Sequence, residues 1–260
     1  MDRPLLPPAW PHVLFQHLAG RVLAGPCLGC EAEGRDPLCP TCLAYLDPLP
    51  AHRCRRCQGV LSLQGECSLC RQNPGGVEGV FTIGTYAGSL RKLIRQLKYQ
   101  ARADLGLYLG GLLADKMRLL VDPGWLVVPV PIHPTRRRQR GYNQAELIAW
   151  QVARRLMLDY TPLALSRPTH GRPFYLRGRS DRWEEASAAF AGEPGRIKGR
   201  RILLVDDIMT SGATAWGAAG ALRQAGASEV WLAVAARAAL KAPRTTQALS
   251  PRAALCANRR

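Results

Sequence analysis

The stretch that decides the fold reads Arg201-Ile202-Leu203-Leu204-Val205-Asp206-Asp207-Ile208-Met209-Thr210-Ser211-Gly212-Ala213-Thr214. Its short, branched, apolar run 202–205 predicts a β-strand that is buried on both faces and ends at the two acids. The hydroxyl-rich loop 210–214 then precedes a predicted helix over 215–226. Backbone N–H groups at a helix N-terminus bind phosphate, and two adjacent carboxylates can accept hydrogen bonds from neighbouring sugar hydroxyls. The stretch therefore predicts a site for a ribose 5-phosphate.

Strand and helix patterns alternate on the amino-terminal side of this stretch and beyond it. Predicted strands cover 80–86, 126–132 and 230–235, and predicted helices cover 89–99, 105–120 and 143–157. Such alternation is typical of a parallel, doubly wound α/β sheet, in which ligands bind at the carboxyl ends of the strands. We expect this domain to occupy residues 79–236.

The stretch 202–214 resembles the phosphoribosyl-pyrophosphate (PRPP) loop of the type I phosphoribosyltransferases. The resemblance implies a sheet of that type, with Asp206 and Asp207 holding the ribose hydroxyls directly or through Mg²⁺. It also implies a 5-phosphate site made by the loop residues Thr210, Ser211, Gly212, Ala213 and Thr214. Lys98 and Arg140 are our candidates for the pyrophosphate side. We assign no catalytic residue, because no base or nucleophile is evident in the sequence.

Eight of the nine cysteines form Cys-x-x-Cys pairs, namely Cys27/Cys30, Cys39/Cys42, Cys54/Cys57 and Cys67/Cys70. One such pair offers two thiolates to a tetrahedral metal, and two pairs complete the site. Closely spaced pairs of this kind seldom form structural disulfides. The pattern predicts a double zinc ribbon over 27–70 with two structural four-cysteine zinc sites, and it leaves open whether the pairs combine sequentially or in an interleaved way.

A further segment carries a more specific resemblance. Its two parts, Pro129-Val130-Pro131-Ile132-His133 and Arg136-Arg137-Arg138-Gln139-Arg140-Gly141-Tyr142-Asn143-Gln144-Ala145, resemble the "PVP … R … RG-aromatic-NQ" signature of the ComF family. Members of this family are phosphoribosyltransferase-like proteins of bacterial competence, often preceded by zinc ribbons. We expect the arginines of 136–140 to form a loop that closes over pyrophosphate.

The family resemblance covers about residues 27–236 and implies a role in DNA uptake. The implied ligands are PRPP or a related phosphoribosyl compound, with Mg²⁺, and single-stranded DNA; a helicase of the competence machinery is an implied partner. Two alternatives stay open: an active phosphoribosyltransferase of nucleotide metabolism, and a zinc scaffold with a vestigial PRPP loop.

The charge of the chain fits a polyanionic partner. Lys and Arg number 36 against 19 Asp and Glu, which gives a formal net charge of +17, although a generally basic proteome would also account for this excess. An arginine-rich loop with Phe174, Tyr175 and Trp183 offers a further polyanion surface.

The remaining segments predict a small number of accessory features. Residues 1–26 are expected to form an N-terminal helix or arm, 71–78 a linker, and 237–260 a basic disordered tail. No apolar run reaches the roughly 18–20 residues of a membrane helix, and the N-terminus is not a convincing secretion signal. We therefore expect a cytoplasmic protein.

Overall fold

The computed structural model describes residues 25–46, 49, 51–59, 61, 65, 67–72, 75–167 and 189–238. The helices are α1 (Pro40–Ala44), α2 (Ser68–Gln72), α3 (Gly88–Tyr99), α4 (Asp104–Met117), α5 (Pro134–Arg140), α6 (Gln144–Leu156), α7 (Pro194–Ile197) and α8 (Ala213–Gln224). The strands are β1 (Val80–Thr85), β2 (Trp125–Pro129), β3 (Asp159–Tyr160), β4 (Leu165–Ser166), β5 (Ala191–Gly192), β6 (Arg201–Met209) and β7 (Glu229–Arg237). Residues 1–24 of the predicted N-terminal arm, the aromatic residues of the arginine-rich loop and the tail beyond 238 lie outside the described residues.

Within the described part of the chain, the main sheet has five parallel strands in the order β1–β7–β6–β2–β3. A separate antiparallel pair, β4–β5, lies beside it. Side chains of the central strand alternate between two buried clusters, because successive residues of a strand point to opposite faces. Leu203 and Val205 join one cluster, with α4 and α6, while Ile202 and Leu204 join the other, with α8. The predicted α/β class, a parallel sheet covered on both faces, is confirmed.

The two cysteine clusters pack on opposite faces of this sheet. Cys27 and Cys42 belong to the buried cluster that includes α3 and α4. Cys54 and Cys57 belong to the other buried cluster, beside α8. The cysteine-rich region therefore contributes to both cores of the α/β domain.

Three predictions about local structure were wrong. The arginines of 136–140 form helix α5 and not a loop: Pro134 begins it, His133 Nδ1 accepts a hydrogen bond from the Thr135 N–H at 3.3 Å, and Gly141 ends it in the left-handed region at φ 80°. The central strand does not end at the acids but continues to Met209, because β7 pairs with it that far. Arg237, predicted to begin the disordered tail, is the buried last residue of β7.

No helix in the described residues combines the length and apolarity that a bilayer-spanning segment requires.

Candidate functional site

The two adjacent acids lie where one neighbour of β6 stops and the other continues. Pairing with β2 ends at Pro129 opposite Val205, with the Val130 N–H donating to the Val205 carbonyl at 2.8 Å. Pairing with β7 continues through Asp206 to Met209. The carboxylates are thus held on a rigid strand, at the carboxyl edge of the sheet where open α/β folds bind ligands.

The carboxylates differ in their surroundings. Asp207 is 8% exposed, and the Lys98 ammonium lies 2.9 Å from its Oδ1. Asp206 Oδ1 accepts a hydrogen bond from the Asp207 N–H at 2.8 Å. Burial, followed by the charge of Asp207, raises the pKa of Asp206 to about 7, since both effects disfavour a second negative charge. Asp206 therefore changes charge near neutral pH.

A contact between α3 and Tyr142, the second residue after α5, supports the position of Lys98. The buried Tyr142 hydroxyl donates to the Leu97 carbonyl at 2.6 Å, which fixes the last turn of α3 directly beside Lys98. Lys98 was predicted on the pyrophosphate side; the structure places it against Asp207, within the same cavity.

A cavity of about 740 Å³ opens above these residues. Six of the predicted site residues line it: Lys98, Arg140, Asp206, Asp207, Thr210 and Thr214. Ser211 is exposed, while Gly212 and Ala213 are buried and line a much smaller pocket beside the cavity. The structure thus brings the acids, the loop threonines and both cationic candidates to one place.

The loop 210–214 leads into α8 through Gly212. This residue has φ 88°, a left-handed conformation that favours glycine. An ideal Cβ there would come within 3.2 Å of the Trp216 ring. The backbone N–H of Trp216 donates to the Gly212 carbonyl at 2.9 Å and closes the first turn of the helix. The helix N-terminus beside Thr214 gives this side of the cavity a positive potential.

The Asn143 and Gln144 part of the signature holds the cavity wall together. The buried Asn143 side chain accepts from the Ala145 N–H at 3.1 Å, which caps α6, and donates to the Val130 carbonyl at 3.0 Å. It therefore ties α6 to the end of β2. Arg140 donates to Gln144 Oε1 at 3.0 Å, which orients its guanidinium on the wall. These signature residues line the cavity and also hold its wall together.

Arg136, one of the arginines predicted to close over pyrophosphate, also lines the cavity, and so does Arg167 from the predicted arginine-rich loop. Arg167 follows β4, and its guanidinium lies 5.3 Å from the centre of the Phe190 ring. Burial, and then the nearby Arg136, lower the pKa of Arg167. In the sequence Arg167 is one of several arginines of a basic segment. In the structure it directly follows β4, and the pairing of β4 with β5 places it at the cavity.

The cysteines form two clusters by sequential pairing. One holds Cys27, Cys30, Cys39 and Cys42, the other Cys54, Cys57, Cys67 and Cys70, and in each the sulfur atoms all lie within 4.8 Å of one another. A tetrahedral zinc site requires its sulfur atoms to lie about 3.8 Å from one another. The sulfur–sulfur distances are close to this value, at 3.8 Å in the first cluster and at 3.7 and 3.4 Å in the second. Backbone N–H groups point at the sulfurs, as from Cys39 to Cys27 at 3.2 Å. Both clusters therefore fit zinc.

Comparison with known proteins places the chain among competence and DNA-utilization proteins. Competence protein F of Haemophilus influenzae is 29% identical over 226 residues, which cover 82% of this chain and 96% of that protein. DNA utilization protein YhgH of Escherichia coli K12 is 30% identical over 173 residues, covering 64% and 75%. Competence protein ComFC of Bacillus subtilis is 22% identical over 211 residues, covering 74% and 80%. No family model matches the chain.

Two solved structures are similar to part of the chain. The allosteric regulatory enzyme of purine biosynthesis is 21% identical and covers 55% of this chain and 30% of its own, with a TM-score of 0.40. The glutamine PRPP amidotransferase from B. subtilis, complexed with ADP and GMP, is 22% identical and covers 54% and 30%, with a TM-score of 0.39.

The pKa of Asp206 makes the stability of the protein depend on pH. Folding raises this pKa from 3.8 to about 7, so the contribution of Asp206 to stability is fully present below pH 3.8 and is lost as the pH rises through 7. Asp206→Asn does not titrate. Between pH 5.5 and pH 8 we expect the free energy of unfolding of the wild type to fall by at least about 1 kcal/mol relative to that of this variant. The Tm of the wild type should fall by about 2–4 °C relative to the Tm of the variant over the same range.

Thermal unfolding of both proteins at several pH values measures this difference. Any pH effect on the cysteine clusters is common to both proteins and cancels. Parallel curves for the two proteins would contradict the raised pKa.

Proposed function

The chain belongs to the ComF family of competence and DNA-utilization proteins, and on that premise we propose that it binds a phosphoribosyl ligand together with Mg²⁺, and also single-stranded DNA. The observation that supports this ligand most is the set of side chains that line one cavity of about 740 Å³. The set comprises two adjacent acids, two threonines of the loop that precedes α8, and four cationic side chains. The ligand in this proposal is PRPP or a compound that shares its phosphorylated ribose.

The cavity divides its chemistry in a way that suits such a ligand. Asp206 and Asp207 offer carboxylate oxygens to the ribose hydroxyls or to Mg²⁺, a cation that prefers oxygen ligands. Thr210 and Thr214 offer hydroxyl groups to the 5-phosphate beside the N-terminus of α8. Bound Mg²⁺ would neutralise charge on the pyrophosphate.

The arginines account for the pyrophosphate side of the proposed ligand. Arg136, Arg140 and Arg167 line the same cavity as the acids. A guanidinium binds phosphate oxygens through two parallel N–H groups. Arg140 is already oriented by Gln144, so its side chain loses less conformational freedom when it binds.

Zinc in both cysteine clusters completes the proposal. Each cluster supplies four sulfurs at tetrahedral spacing, which leaves no open position for catalysis, so the role is structural. Burial raises the pKa of the Cys57 thiol to about 11, and zinc stabilises the thiolate form. Thiolate ligands persist in reducing compartments, which supports the cytoplasm as the location.

The single-stranded DNA surface is proposed at the mouth of the cavity. Arg91, Lys92 and Arg95 are exposed on α3, and Arg136 and Arg138 are exposed on α5. At the junction of these two helices Tyr99 is 69% exposed, with the Arg140 guanidinium 5.4 Å from its ring centre. A basic surface with an accessible aromatic ring binds single strands by phosphate contacts and base stacking.

Phosphoribosyl transfer is a second candidate activity at the same site. It is favoured by the position of Asp206, which lines the cavity next to Asp207. Burial and the charge of Asp207 raise the pKa of Asp206 to about 7, which suits a group that accepts or donates a proton at neutral pH. Release of pyrophosphate from PRPP in the presence of an acceptor base would separate turnover from binding alone.

The acid pair is expected to be essential for ligand binding. Calorimetry with PRPP and Mg²⁺ should show saturable binding to the wild type, and the ligand should raise its Tm. The double variant Asp206→Asn and Asp207→Asn should lose at least about 100-fold in affinity, because each carboxylate removed costs a charge-assisted hydrogen bond or a metal contact.

Asp115→Asn is the matched control, since Asp115 lies on an exposed part of α4 outside the cavity; it should bind as the wild type does. An unchanged PRPP-induced rise in Tm in the double variant would refute the site.

Metal content tests the zinc assignment. Inductively coupled plasma mass spectrometry of the purified protein should find two zinc ions per chain. Cys30→Ser and Cys67→Ser change one ligand in each cluster, and each should reduce the content to one, because a structural zinc site needs four ligands. A wild-type content well below two, after purification without chelators, would argue against one or both sites.

A salt titration tests the DNA surface. The logarithm of the association constant for a labelled single strand should fall linearly with the logarithm of salt concentration, with a slope of about −0.7 per phosphate neutralised. The double variant Arg136→Gln and Arg138→Gln should make this slope less steep by about 1.4. Arg118→Gln changes an exposed arginine that directly follows α4 and lies outside the cavity, and it should leave the slope unchanged. Negligible affinity of the wild type at about 50 mM salt would remove DNA from the proposal.

A further inference from the structure

Arg237 is a buried cation that joins the second cysteine cluster to the loop 210–214, the proposed 5-phosphate site, which we call the phosphate loop. It is the last residue of β7 and only 2% exposed. On one side its Nε donates to the Cys57 carbonyl at 3.2 Å. On the other side its Nη1 donates to the Met209 carbonyl at 3.0 Å and also contacts the Thr210 carbonyl. One guanidinium thus spans from a cysteine ligand to the first residue of the loop 210–214.

A buried guanidinium requires a compensating negative charge, because removing a cation from water is costly. Among the described residues no carboxylate forms an ion pair with Arg237. A source of negative charge beside it is the second cysteine cluster: the Cys57 carbonyl accepts from Arg237, and the four thiolates of the cluster outweigh one Zn²⁺ by two charges.

The geometry at Gly59 shows how close the guanidinium comes to the sulfurs. An ideal Cβ on Gly59 would lie 3.2 Å from Arg237 Nη2 and 3.3 Å from Cys57 Sγ. Arg237 Nη2 is buried without a hydrogen-bond partner among the described residues. This unpartnered edge of the guanidinium therefore lies next to the cluster, where thiolate charge would stabilise it.

The loop side of the contact is equally specific. Met209 ends β6, and its carbonyl accepts both from Arg237 Nη1 and from the Ala238 N–H at 2.9 Å. The next carbonyl, that of Thr210, belongs to a residue whose side chain lines the cavity. Fixing these two carbonyls fixes the direction in which the chain leaves the sheet towards Gly212.

We propose that Arg237 is a positioning residue for the phosphate loop, with the zinc–thiolate cluster of Cys54, Cys57, Cys67 and Cys70 as its counter-ion. Zinc in this cluster then determines the geometry of the loop and the affinity of the cavity. The effect on affinity rests on the proposed function, whereas the effect on the loop does not.

The first cysteine cluster provides a matched control. It packs against α3 and α4 on the opposite face of the sheet. Gly29 beside it contacts Ser89 at the start of α3, where an ideal Cβ would lie 3.0 Å from the Ser89 hydroxyl. Among the described contacts, none joins this cluster to Met209 or Thr210.

The test uses the full-length zinc-loaded protein and three variants: Arg237→Met, Cys70→Ser in the second cluster and Cys30→Ser in the first. Hydrogen exchange of peptides covering 206–216 reports loop order without ligand, and calorimetry with PRPP and Mg²⁺ reports affinity. Arg237→Met should keep two zinc ions, exchange about fivefold faster in this segment and bind PRPP about tenfold more weakly, as expected for loss of buried hydrogen bonds from a charged group.

Cys70→Ser should lose one zinc ion and show the same faster exchange, and combining it with Arg237→Met should add little, because both act through one contact. Cys30→Ser should also lose one zinc ion but leave the exchange of 206–216 within about twofold of the wild type. If Arg237→Met does not fold, Arg237→Lys keeps the charge without the fork and should show the same effects to a smaller extent.

Unchanged exchange in both Arg237→Met and Cys70→Ser would overturn the proposal, and so would equal effects of the two cysteine variants. A wild type that fails to bind PRPP, with loop exchange still responding to Arg237 and Cys70, would remove the proposed ligand and leave the positioning role in place.

Discussion

The unequal length of the two strands beside β6 is the constraint on which the site depends. Pairing with β2 stops at Val205, while pairing with β7 continues to Met209. Strand pairing therefore extends past Asp206 and Asp207 on the β7 side, whereas on the other side no strand of the described residues pairs with them. A continuous β2 would leave no room for a cavity, and a shorter β7 would leave the acids on a loose loop. Rigid support of this kind preserves the geometry of a binding site.

The cysteine-rich region is part of the α/β domain and not a separate appendage. Its two cysteine clusters join the two hydrophobic cores on opposite faces of the sheet. Helices α1 and α2, each five residues long, are too short to be stable without such support. Metal ligation is well suited to this task, because it stabilises short segments that bury little apolar surface.

The sequence predicted what depends on local pattern, and it failed where tertiary contacts decide. The apolar run 202–205 and the four Cys-x-x-Cys pairs specify, by residue type and spacing alone, a buried strand and two four-cysteine clusters that fit a metal. Helix α5 was missed because its arginines show no apolar face; a proline at its start and Gly141 at its end define it. Arg167 and Arg237 could not be distinguished from other arginines, since their positions depend on strand pairing over long sequence distances.

The charges in the cavity are arranged so that neighbouring acids are tolerated before any ligand binds. The Lys98 ammonium offsets the charge of Asp207, and burial together with the charge of Asp207 raises the pKa of Asp206 to about 7. The acidic floor is therefore close to neutral, while Arg136, Arg140 and Arg167 leave the surrounding wall positive. An anion approaching the cavity meets an attractive potential and no repulsion from the acids. The cavity therefore suits a molecule with phosphates at its ends and hydroxyls between them. Its phosphates would face the arginines, and its hydroxyls would donate hydrogen bonds to the acids.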